Sequence, residues 1–160
     1  MSFSLSEVEL SKLIPPVARI CYVGLKILRK DYLEDICEDF SSYHLKCLFL
    51  NTLETTDPEF WFDEENIEAG FHLLLYELIE SLVQKSCPHF WIPSINLYEH
   101  FSGKEIERLI TKLIEIKSAP EIFIDSVEER EEDIAKSLAG VWIIYIIGWF
   151  FTIGSLSLLR

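Results

Sequence analysis

In Phe40-Ser41-Ser42-Tyr43-His44-Leu45-Lys46-Cys47 a polar break opens directly into an apolar run, and the residue types suit the holding of a phosphate compound. Ser41 and Ser42 stand where a helix N-cap belongs, and a serine oxygen there accepts from the otherwise unpaired N–H groups of the first turn. Those N–H groups, together with the positive end of the helix dipole, attract phosphate. Tyr43 offers a flat ring to a base, and Lys46, four residues beyond Ser42, places a cation on the same helix face. The same letters also describe a plain cap followed by core, because Tyr43, Cys47 and Leu50 recur at i, i+4 and i+7.

Other reactive side chains form no constellation. Cys21, Cys37, Cys47 and Cys87 make no C-x-x-C pair and read as reduced, buried thiols. His44, His72, His89 and His100 are scattered without cysteine partners at ligand spacing, so metal binding is not predicted and no cofactor is implied. Glu131-x-Asp133 has the letters of a metal-holding carboxylate pair, but it lies in a run of charge with no strand or phosphate loop around it. No serine or cysteine nucleophile sits beside a base in any local motif, and no catalytic residue is assigned.

The elements that must position these residues are helical. Ser6 and Glu9 have capping-box spacing and Val8, Leu10, Leu13 and Ile14 give a first short helix its apolar face, ended by Pro15 and Pro16. A second helix starts at Pro16 and runs through Ile20, Leu25 and Leu28 toward Leu33, carrying Lys26, Arg29 and Lys30 as the most basic local cluster, read by itself as a solvated face. A third starts near Ser42 and continues through Leu53, with Thr55-Thr56-Asp57-Pro58 as its stop, and Trp61 follows in a short aromatic link. Asp63 opens a long fourth helix with Ile67, Phe71, Leu74, Leu75, Leu78 and Leu82 at helical spacing. Pro88 and Pro93 bracket an extended segment whose Phe90, Trp91 and Ile92 are expected to be pinned against the helices. The last helix of this part spans Gly103 to Lys117. The fold class is therefore all-α, a helical bundle over 1–120.

With 160 residues and 49% hydrophobic content the chain can bury a real core. Its 14 basic and 27 acidic residues give a net charge of −13, which makes long nucleic acid a disfavoured partner while leaving room for a small nucleotide. Residues 121–136 form an acidic linker, with six acids and one base from Asp125 to Asp133. Residues 137–160 hold an uncharged run, Ser137 to Leu159, which as a helix is roughly 34 Å long against a hydrocarbon core of roughly 30 Å. One C-terminal transmembrane helix is expected, a single-pass anchor leaving the N-terminal domain in the cytosol.

Ser41-Ser42-Tyr43-His44-Leu45-Lys46, then Trp61, then Cys87-Pro88-His89-Phe90-Trp91-Ile92-Pro93 and Asn96-Leu97 resemble the C-terminal helical half of the male-abnormal-twenty-one family, which includes the cyclic GMP-AMP synthases. The similarity runs from about Glu9 to Pro120. It implies a helix-hairpin-helix-like fold and carries the family's nucleotide contacts from this half onto Lys26 as a phosphate contact, Ser42 beside it and Tyr43 as the stacking ring. The nucleotidyltransferase core of the family, with its Gly-Ser turn and metal-holding acids, has no counterpart before Lys26, so this chain by itself is not expected to be an enzyme. Together with the uncharged C-terminal run, the resemblance points to a membrane-anchored, non-catalytic module that binds a nucleotide such as ATP or GTP, or a protein partner. The alternatives are a C-terminal piece of a complete nucleotidyltransferase and a purely structural interaction domain.

Overall fold

The computed structural model describes residues 14–118. The expected first helix, the acidic linker and the membrane anchor lie outside the described residues. Helix α1, Pro16–Leu28, begins with proline in its first turn, where the missing N–H costs nothing, and buries Val17, Ala18, Ile20, Cys21, Gly24, Leu25 and Leu28. The chain continues toward Leu33 as expected, but as a π turn over Arg29–Leu33 closed by the Glu34 N–H on the Arg29 carbonyl at 3.0 Å. Leu28 and Leu33 are both fully buried. On a regular α-helix, residues five apart would point roughly 140° from each other, and the widened turn lets both face inward.

Helix α2, Ser42–Thr55, buries Leu45, Cys47, Leu48, Phe49, Leu50 and Thr52, and ends where Thr56 donates its N–H to the Thr52 carbonyl. Asp57 then caps a 3-10 turn, Pro58–Trp61, by accepting from the Glu59 N–H at 3.0 Å, and this turn drives Trp61 into the core. Asp63 caps a second 3-10 turn, Glu64–Asn66, so the long α-helix expected from Asp63 begins properly at Ile67. That helix, α3 (Ile67–Val83), is the centre of the bundle and packs against α1, α2 and the last helix, α4 (Gly103–Ser118). Its Gly70 is required by contact: a Cβ there would stand 2.8 Å from Cζ3 of Trp61 and 3.1 Å from Sγ of Cys21.

Lys85 ends α3 at φ 53°, with the Ser86 N–H on the Ser81 carbonyl and the Lys85 N–H on the Leu82 carbonyl. This is the Schellman pattern with a lysine where glycine is usual. The segment from Cys87 to Phe101 is a looped excursion, joined by one isolated antiparallel bridge between Pro88 and Asn96. Phe90 packs on the core as expected, whereas Trp91 and Ile92 do not: both are exposed at the tip of the loop, because the turn between Pro88 and Pro93 carries them away from the helices. Among the described residues there is no strand longer than that bridge, and no helix is long and apolar enough to cross a membrane. The described part is all-helical, as the sequence implies. All four cysteines are free and buried, and burial pushes the Cys21 and Cys87 thiols up to about 12.

Candidate functional site at the start of helix α2

The cap of α2 is Ser41 alone. Its backbone is extended (φ −87°, ψ 167°), its oxygen accepts from the Tyr43 N–H at 3.3 Å, and its own N–H donates to Nδ1 of His44 at 3.1 Å. Ser42 is already the first helical residue, with its side chain exposed. His44 completes the capping box from a position where glutamate or glutamine is usual. Because Nδ1 accepts from a backbone N–H, the ring proton is on Nε2, which donates to the Leu97 carbonyl at 3.2 Å. The ring lies among Phe40, Tyr98 and Phe101, with centroids 5.2 to 6.0 Å away. Burial there holds its pKa below the ordinary histidine value.

Tyr43 departs from the core stripe that its spacing allows. Cys47 and Leu50 are buried, but Tyr43 is 37% exposed. Its hydroxyl is paired with Nε2 of His89 at 2.7 Å, and the two rings are tilted with centroids 5.5 Å apart. Nδ1 of His89 accepts from the N–H groups of both Trp91 and Ile92, each at 3.1 Å, so Nε2 carries the proton and donates to the tyrosine oxygen. The ring of Tyr43 is thus an exposed plate held at its far end.

Lys26 projects from the exposed side of α1, its Nζ 5.9 Å from the centroid of the Tyr22 ring. Tyr22 in turn stacks on Phe49 of α2 at 4.6 Å. Phe49 is six residues past Tyr43, about 9 Å further along the helix axis. Lys26 therefore flanks the middle of α2, while Ser42 and Tyr43 occupy its first turn. The other expected basic residues divide: Arg29 donates to the Phe40 carbonyl at 3.0 Å and pairs with Glu34, which makes it a strut for the approach to α2, and Lys30 stays exposed.

His44, His89 and Asn96 were not assigned roles from the sequence, yet they lock the two motifs together. Asn96 accepts from the Cys87 and Tyr98 N–H groups and donates to the Lys85 carbonyl, while Asn51 of α2 donates to the Pro88 carbonyl at 3.0 Å. The available signal was the position of His44, three residues after Ser41. Among the described residues no three His, Cys, Asp or Glu side chains gather in a way that holds a metal ion. Glu131 and Asp133 lie outside the described residues.

Residues 18–115 match the family model of the Mab-21 protein HhH/H2TH-like domain. A mab-21-like protein of Drosophila pseudoobscura pseudoobscura is 32% identical over 90 residues, covering 56% of this chain and 24% of that protein. Its counterpart in Drosophila melanogaster is 31% identical over the same length and coverage. A cyclic GMP-AMP synthase-like receptor of Tribolium castaneum is 26% identical over 115 residues, covering 72% of this chain and 26% of the receptor. The chain spans about a quarter of the length of these curated relatives.

Proposed function

The chain belongs to the Mab-21 HhH/H2TH-like domain family, and from that premise we propose that it is a membrane-anchored helical module that holds a nucleotide without transforming it. The base lies on the Tyr43 ring in the first turn of α2, with Ser42 beside it, and the phosphates reach along the helix toward the Lys26 cation that flanks its middle. The observation that carries this reading is the Tyr43 plate: an aromatic ring left exposed beside buried Cys47 and Leu50, and oriented in advance by His89. A ring fixed before binding loses little freedom when a base stacks on it. Affinity is weak, with a dissociation constant on the order of 1 mM, about −4.1 kcal/mol, because an open face covers little of a small ligand and the net charge of −13 opposes phosphate.

The run from Ser137 to Leu159 supplies the single-pass anchor, with the helical domain on the cytosolic side. A second reading, as the helical half of a complete nucleotidyltransferase, is favoured by the quarter of each relative that the chain spans. Titrating the full chain with ATP and GTP in the presence of magnesium, while following backbone amide signals and then recovering the nucleotides, tests the module: shifts at the start of α2 with nucleotides recovered unchanged support it, and a linked or cyclised product contradicts it. The second reading is tested at the 5′ end of the transcript, which it expects to encode a Gly-Ser turn followed by metal-holding acids.

A further inference from the structure

The tip of the loop after α3 presents Trp91, Ile92 and Ile95 to solvent, 39%, 43% and 44% exposed. Phe90 extends this surface inward, its ring edge-on to Trp91 at 4.9 Å, and with the largely exposed Phe62 it borders an apolar cleft of about 330 Å³ floored by Leu50, Leu53 and Trp61. From Ser86 to Tyr98 there is no formal charge in a chain that is 26% charged. The N–H groups of the exposed apolar residues are paired within the tip. Ile95 donates to the Ile92 carbonyl and His89 to the Ile95 carbonyl, both at 2.9 Å, Trp91 and Ile92 donate to the ring of His89, and Pro93 has no N–H.

We infer that this loop tip inserts into the interfacial layer of a zwitterionic lipid bilayer, with Trp91 as the interfacial anchor and Ile92 and Ile95 reaching deeper. A protein groove or sheet edge rewards free backbone donors. Lipid penalises them, and the residues taken to enter it, Trp91, Ile92 and Ile95, have their N–H groups already paired. Tryptophan favours the boundary between headgroups and acyl chains. The net charge of −13 directs the surface to neutral rather than anionic headgroups. The inference rests partly on the anchor proposed above: residues 119–136 between α4 and the apolar run span at most about 65 Å, which keeps the domain beside the bilayer.

The test uses the full chain in phosphatidylcholine vesicles with plain or brominated acyl chains. Trp142→Phe and Trp149→Phe leave emission to buried Trp61 and exposed Trp91. Brominated lipid is expected to quench a fraction of the emission, and that fraction should vanish in Trp91→Ser. It should also fall severalfold in Ile92→Ser/Ile95→Ser, which keeps Trp91, and far-ultraviolet circular dichroism should show the helices intact in both. Equal emission in the two lipids overturns the inference, as does a blue shift that depends on protein concentration and not on lipid, which would make the patch an interface between copies. A carbonate wash of the same vesicles separates this from the anchor. Quenched Trp91 in protein that washes off supports the loop and refutes the anchor; unquenched Trp91 in protein that stays does the reverse.

Discussion

Tyr43 and His44 are neighbours in the chain with opposite duties. Tyr43 turns its ring outward with its hydroxyl tied to His89, whereas His44 turns inward and joins the cap of α2 to the Leu97 carbonyl. Protonating His44 would place a second donor on Nδ1, where the Ser41 N–H already points, and would put a charge among Phe40, Tyr98 and Phe101. Its folded pKa lies below the ordinary 6.5, so the unfolded chain binds the proton more readily. The stabilising contribution is therefore complete above about pH 6.5 and is lost as pH falls through the lower folded value. Thermal melts between pH 7.5 and 5.5 should show stability declining toward acid, with a flatter profile in His44→Gln. Parallel profiles in the two proteins would remove His44 from this role.

At the scale of elements, α3 is held by one close approach and one strained end. Gly70→Ala forces the indole of Trp61 off its seat and should cost about 1–3 kcal/mol in urea unfolding. Lys85→Gly relieves a left-handed lysine while keeping the carbonyl that Asn96 donates to, and should raise stability by about 0.5–1 kcal/mol. No change in midpoint for either variant would contradict the packing described. Periodicity made α1, α2, α3 and α4 legible to within a few residues, because Leu74, Leu78 and Leu82 or Ile106, Leu109 and Leu113 define one face without knowledge of what meets it. The candidate site was less legible. Spacing by itself favours Tyr43 as core, since what turns it outward is a hydrogen bond to a residue 46 positions away. Composition likewise placed Trp91 and Ile92 inside, because hydropathy alone does not reveal that a turn bracketed by prolines exposes its tip.

For the whole molecule, the uncharged run from Ser137 to Leu159 is the proposed anchor. Carbonate extraction should leave the full chain in membranes and release a version ending at Ser137, and equal release of both would contradict the anchor. Placed at the bilayer, the domain would present the Tyr43 face to cytosolic nucleotide. The most direct measurement is the amide titration with ATP and GTP at several millimolar, repeated for Tyr43→Phe, Tyr43→Leu and Lys26→Glu. Shifts should cluster in the first turn of α2, persist in Tyr43→Phe, which keeps the ring, and disappear in Tyr43→Leu and Lys26→Glu. If neither nucleotide moves those amides in the unaltered chain, Lys26, Ser42 and Tyr43 are surface, helix start and loop tether, and the chain holds no nucleotide there.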